Sequence, residues 1–255
     1  MASLLDHFAR LVGVRRAQAL APRDAYALWA ETYPARPHNP LMETEQAIVA
    51  PIIAAAAPTR ALDVGTGSGR NLPLLRSAGA RLAVGVDFSL PMLRREACHA
   101  PRVCGDACRL PFRDATFDLV SSSLMAGDIE NLGGWVREAT RVLTPGGHLI
   151  YSDFHPSWAA QRWRRTFRTA EGRLVELSYY PHAIDEHLGL LEQSCLAVRA
   201  IREPRVAGQA APALVIVHAV KRGPAADLGT RPASPSVTPG KAPVHPAAAP
   251  GPRAI

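Results

Sequence analysis

Gly65, Gly67 and Gly69 recur at every second position directly after the apolar run Ala61-Leu-Asp-Val64. Glycine has no Cβ, so such a loop lets a ligand come close to the backbone and permits positive φ angles. Leu72, Leu74 and Leu75 then supply the apolar positions of a helix opening near Arg70. A strand–loop–helix order of this kind offers backbone N–H groups to a polar or anionic ligand. Asp63 stands two residues before the first glycine, and Asp87 closes the next apolar run, residues 82–86. A carboxylate at the second strand's tip can accept both hydroxyls of a ribose. One at the first strand's tip can pair with an ammonium group or orient the loop. Arg70 stands where a dinucleotide loop has its third glycine, and no lysine follows to make a P-loop. The pattern suits a nucleoside that carries an amino acid and no pyrophosphate.

Leu62-Asp-Val-Gly-Thr-Gly-Ser-Gly69 and Val84-Gly-Val-Asp-Phe-Ser-Leu-Pro-Met92 are followed in order by Gly105-Asp-Ala-Cys-Arg-Leu-Pro-Phe112, Phe117-Asp-Leu-Val120 and Arg137-Glu-Ala-Thr-Arg-Val-Leu-Thr-Pro-Gly-Gly-His-Leu-Ile150. On these stretches the chain resembles the S-adenosylmethionine-dependent class I methyltransferases over about residues 26–220. It is most similar to the malonyl-carrier-protein and quinone-biosynthesis subgroup. The resemblance implies an α/β Rossmann-like fold: a seven-stranded, mostly parallel sheet with helices on both faces and an antiparallel C-terminal hairpin. It implies S-adenosylmethionine as cofactor, held by Asp63, Gly65, Thr66, Gly67, Asp87, Phe88, Met92, Asp106, Ala107, Ser122 and Ser123. Phe88 and Met92 would flank the adenine and Asp106 accept from its amino group. Ser122, Ser123 and Leu124 would pass beside the methionine portion. An NAD-type reductase ranks behind, because Arg70 breaks its glycine pattern.

Alternating apolar strands and helices from residue 60 onward argue for βαβ units and a parallel sheet. Strands are expected at 60–64, 82–86, 102–104, 117–122 and 148–152, with Thr144-Pro-Gly-Gly147 as a turn before the last. Residues 1–58 read as an N-terminal helical cap, with helices over 1–22, 23–32 and 42–57. Tyr26, Trp29 and Tyr33 form an aromatic stripe there, and His38 and Asn39 are polar tips of a proline-rich loop. The methyltransferase domain is expected over 59–221, with 153–182 as an insertion on the substrate side. Within it, 174–180 reads as a strand, 184–194 as a helix, and 195–206 and 213–220 as the final hairpin. Residues 222–255 read as a disordered Pro/Ala-rich tail without core-forming positions.

Methyl transfer needs mainly alignment of nucleophile, methyl and sulfur. A carboxylate acceptor needs no base, whereas a hydroxyl or carbon acceptor benefits from one. His155, just past the fifth strand, is the candidate base, ahead of His38 and His182. Asp128 and Asp153 can orient an acceptor or cap a helix. Arg162, Arg164, Arg165 and Arg168 can grip a carboxylate, meet an acidic carrier protein, or form a solvated helix face.

At 255 residues and net charge +7 the chain can hold one sizeable α/β domain. Neither a zinc-knuckle nor an RNP pattern points to nucleic acid. Cys98, Cys104, Cys108 and Cys195 have no metal-ligand spacing, so no metal is expected. No targeting peptide or membrane span is evident, which predicts a cytoplasmic protein. The expected activity is O- or C-methylation of a small-molecule or carrier-bound acceptor. A malonyl-carrier-protein O-methyltransferase and a cofactor-sensing regulatory module are the alternatives.

Overall fold

The computed structural model describes residues 17–95, 99–161 and 163–223. The expected helix over 1–22 lies largely outside them, as do Cys98, Arg162 and nearly all of the tail.

Seven strands form the main sheet: β2 (Arg60–Val64), β3 (Leu82–Asp87), β4 (Arg102–Cys104), β5 (Phe117–Ser123), β6 (Leu143–Phe154), β9 (Leu196–Arg202) and β10 (Leu214–Lys221). Their order is β4-β3-β2-β5-β6-β10-β9. The first five pair in parallel, and β10 runs antiparallel to both β6 and β9. This is the expected fold class. Strands build outward from β2 on one side and from β5 on the other. The chain therefore leaves a crevice at their carboxyl ends, where open α/β sheets take ligands.

Alternation along each strand divides the core into two layers. Leu62 and Val64 face one layer with Trp135, Val136 and Ala139 of α5 (Leu132–Val142). Ala61 faces the other, with Leu41, Met42, Val49 and Ile53 of α2 (Pro40–Ala56) and Leu72 and Leu75 of α3 (Leu72–Ser77). Asn39 caps α2, its side-chain oxygen accepting from Met42 N at 2.9 Å. Thr144-Pro-Gly-Gly147 is not a separate turn. It lies inside β6, where the pairing slips between Phe117–Leu143 and Leu119–His148.

A second sheet, absent from the sequence reading, lies in the order β1-β8-β7. Its strands are β1 (Gln18–Leu20), β7 (Arg165–Arg168) and β8 (Leu174–Leu177). β1 corrects the helix expected through residue 22, because these residues pair in parallel with β8. β7 likewise corrects the helix-face reading of the arginines. Phe167 turns inward and stacks on Trp29 of α1 (Pro22–Trp29) at 4.8 Å. Ala25, Phe167, Val175 and Leu177 make a small core of their own. The rest of the expected insertion holds α6 (Ser157–Ala160), and α7 (Ile184–Gln193) follows it.

Cys195, between α7 and β9, has a φ of 58°. A side chain in this left-handed region costs about 1–2 kcal/mol, partly offset by glycine's greater freedom when unfolded. Cys195→Gly is expected to stabilise the chain by about 0.5–1 kcal/mol in urea denaturation; a loss of stability would mean the Cys195 side chain makes contacts worth more than its strain.

Candidate cofactor and acceptor site

The glycine loop is fastened to the end of β3. Gly65 N and Thr66 N both donate to Val86 O, at 2.8 and 3.0 Å. Asp87 Oδ2 accepts from Gly67 N and Oδ1 from Ser89 N, each at 2.8 Å. Burial pushes this carboxyl up to about 6. Each of its oxygens keeps a lone pair for a further donor, which is what a vicinal diol needs. A Cβ at Gly65 would lie 2.9 Å from Met125 Cβ and closer still to its Cγ, and one at Gly67 would lie 3.0 Å from Met92 Cε. The bare backbone is therefore the floor of the site. These residues fit the nucleoside of S-adenosylmethionine.

Two cavities meet here. One is a cleft walled by Gly65, Asp87, Phe88, Asp106, Ala107 and Ile129. Asp106 Oδ1 accepts from Cys108 N at 2.8 Å, which fixes its carboxylate at the cleft wall. The other is aromatic, walled by Tyr26, Trp29, Tyr33, Phe154 and Trp163, with Met42, Met92 and Leu177. Gly65, Asp87, Phe88, Met125 and Asp128 line both.

On the α2 side of the aromatic cavity a buried polar chain joins three elements. Arg70 Nη2 donates to Ser123 Oγ at 2.9 Å, and Ser123 Oγ donates to Glu45 Oε1 at 2.5 Å. Ser152 Oγ donates to the same oxygen at 2.7 Å, and Arg70 lies 4.0 Å from Glu45 Oε2. Glu45 is 3% exposed. Sequence reading passed over it, although Leu41, Glu45, Val49 and Ile53 repeat every four residues along one helix face.

Opposite, from β7, Arg165 Nη1 donates to Asp128 Oδ1 at 2.6 Å. Arg165 Nη2 donates to the Tyr26 hydroxyl at 2.9 Å, and that hydroxyl donates to Asp128 Oδ2 at 2.9 Å. The guanidinium also stands 4.7 Å from the centre of the Phe154 ring. Burial alone would weaken its charge, but Asp128 and Tyr26 more than offset this and keep it protonated. Arg164 instead pairs with Glu176 at the surface, and Arg168 donates to Gly172 O.

The structure thus brings together Gly65, Thr66, Gly67, Asp87, Phe88, Met92 and Ser123 at the aromatic cavity, and Asp106 and Ala107 at the cleft. His38, Asn39, Tyr33 and Leu124 also reach the cavity. Three expected positions lie outside both cavities. Asp63 and Ser122 are buried but line neither cavity. Asp63 pairs in register with Ser121 and accepts its hydroxyl at 2.8 Å, so it braces β2 against β5. Burial pushes its carboxyl up to about 6. His155 is also outside both cavities. Its Nε2 lies 2.9 Å from Glu203 Oε2 and its Nδ1 accepts from Ser157 N at 3.1 Å, so both ring nitrogens are occupied in the chain's own turn. His182 is held between Ile129 O and Glu186. Asp153 is buried, its carboxyl pushed up to about 7 by that burial, and lines neither cavity. Among the described residues no cluster suits a metal ion, and no helix is long and apolar enough to cross a membrane.

Residues 62–151 match the family described as a methyltransferase domain. A demethylmenaquinone methyltransferase of Streptomyces avermitilis is 38% identical over 119 residues, covering 45% of this chain and 51% of that protein. The one from Mycolicibacterium gilvum is 38% identical over 96 residues, covering 37% and 42%. The matches therefore span about half or less of these relatives' length. Among solved structures, an S-adenosylmethionine-dependent methyltransferase from Mesorhizobium loti aligns with a TM-score of 0.54 at 22% identity, covering 67% of this chain and 96% of that one. One from Listeria monocytogenes, called putative, aligns with a TM-score of 0.57 at 17% identity, covering 69% and 100%. These structures share the fold. Family match, strand order and glycine loop together make residues 62–151 a methyltransferase domain.

Proposed function

We propose that this chain transfers a methyl group from S-adenosylmethionine to a small acceptor held between the aromatic walls. The observation that carries this reading is the sharing of Gly65, Asp87, Phe88, Met125 and Asp128 between the nucleoside cleft and the aromatic cavity. A ligand in one abuts a ligand in the other. When bound, the cofactor supplies an electrophilic methyl group on a positively charged sulfur. The chain's part is to align and to exclude water. Asp87 receives the ribose hydroxyls, and Phe88 and Asp106 hold the adenine. Arg70 and Ser123 meet the methionine end, kept in place by Glu45 from α2.

A small acceptor is favoured over a carrier-bound carboxylate. Arg165 is the described arginine of the 162–168 run that lines the cavity, and Asp128 already neutralises it. Arg164 and Arg168 lie at the surface.

Calorimetry with S-adenosylmethionine, followed by transfer of a labelled methyl group, tests this reading; absence of cofactor binding would end it. Asp87→Ala is expected to weaken cofactor binding by about 1–3 kcal/mol, because ribose hydroxyls are left unpaired. The wild-type carboxylate must be ionised to accept both hydroxyls, so affinity should also fall as pH drops through about 6. A wild-type dissociation constant in Asp87→Ala would remove this residue from the site.

A further inference from the structure

Asp128 ends the short 3-10 turn Ala126–Asp128 that follows β5. With Asp87 assigned to the ribose, it is the remaining acidic side chain among the described residues that lines both cavities. Its side chain is 2% exposed. The hydrogen bonds among Asp128, Arg165 and Tyr26 close into a ring that occupies one position on each carboxylate oxygen. A carboxylate offers about four such positions, so each oxygen can still accept another donor. Arg165 uses two of its roughly five N–H groups in the ring.

The ring is electrically balanced, and this selects among acceptors. An anion entering the cavity would find Arg165 already paired and Asp128 repelling it, where low dielectric makes repulsion strong. A neutral hydroxyl compound meets neither penalty. Its O–H can donate to Asp128 and its oxygen can accept from Arg165. Trp29, Tyr33, Phe154 and Trp163 supply faces and edges for a flat ring.

We propose that Asp128 is the general base of this enzyme and that the acceptor is a neutral aromatic hydroxy compound methylated on oxygen; this rests on the methyltransferase reading above. The hydroxyl proton passes to a carboxylate oxygen of Asp128 as the acceptor oxygen forms its bond to the methyl carbon. The carbon–sulfur bond breaks with its electron pair going to sulfur, leaving a neutral thioether. The proton then leaves Asp128 to water. Arg165 and Tyr26 are positioning residues. Burial raises the proton affinity of Asp128 while Arg165 and Tyr26 lower it, and Asp153, Asp87 and Tyr33 also feel its charge.

The test compares phenol, 2-naphthol and 4-nitrophenol as acceptors of labelled methyl in wild type, Asp128→Asn and Tyr26→Phe. Cofactor binding is measured alongside by calorimetry, as is 2-naphthol binding with S-adenosylhomocysteine present. In Asp128→Asn, kcat for phenol and 2-naphthol should fall by about 10²-fold or more, while both binding constants change little. 4-Nitrophenol, which ionises readily in water, should lose much less, and its KM should drop because Arg165 is no longer neutralised. Tyr26→Phe should retain most of the rate. Equal losses on all three acceptors, or no loss, would overturn the role of Asp128. Wild type that binds cofactor yet methylates none of them would overturn the acceptor class alone, whereas failure to bind cofactor would overturn the underlying function. Should Asp128→Asn not fold, the double variant with Arg165→Gln leaves neither charge unpaired and carries the same comparison between 2-naphthol and 4-nitrophenol.

Discussion

Gly65→Ala is expected to abolish measurable cofactor binding and to lower the melting temperature by about 5–15 °C. The position has a φ of 69°, which costs a side chain about 1–2 kcal/mol. The added methyl would also press on Met125 at the root of its side chain, and such overpacking costs about 1–3 kcal/mol. For a chain of this size each kcal/mol moves the midpoint by about 2–4 °C. Met125 cannot step aside freely, because it is 5% exposed and packed in the larger core layer. Any relief therefore displaces the loop that carries Thr66 and Gly67. Thermal melts and calorimetry on the same samples separate the two effects. Unchanged affinity in a folded variant would show that the loop does not meet the cofactor.

Arg165→Ala is expected to destabilise the chain by about 3–5 kcal/mol, because it strands the buried Asp128 carboxylate without its partner. Asp128→Ala in the same background should recover much of that loss. Arg164→Ala provides the contrast: its pair with Glu176 has one partner 56% exposed and should contribute under about 1 kcal/mol. Urea denaturation reads all three. Similar losses for Arg164→Ala and Arg165→Ala would refute the buried-pair account.

The two arginines also show where sequence reading ends. In Arg164-Arg-Thr-Phe-Arg168 the letters do not say which guanidinium turns inward. That depends on β7 pairing with β8, which sets Phe167 toward Trp29 and leaves Arg165 at the cavity. The glycine loop, Asp87 and the parallel strands were legible because local rules govern them: glycines at a positive-φ turn, a carboxylate at a strand tip, apolar runs between helices. β1 was not, since three residues gain strand form only from a partner far along the chain. The surroundings of Asp63 were hidden for a related reason. Its place in the run was clear, but its Oδ1 accepts from Ser121 and its side chain lines neither cavity. His155 was plausible by position after β6, yet Glu203, distant in sequence, takes its Nε2.

The pairing of β1 with β8 has a consequence for synthesis on the ribosome. Gln18 finds its partner only when Val175 has emerged. β2 and β3 can meet long before, since Arg60 pairs with Leu82. The wall bearing Tyr26 and Arg165 is thus the late product of translation, completed after the strands that carry the glycine loop and Asp87 have formed. A nascent chain arrested before β7 would already own its glycine loop and Asp87, while the Tyr26 phenol still waited for its guanidinium.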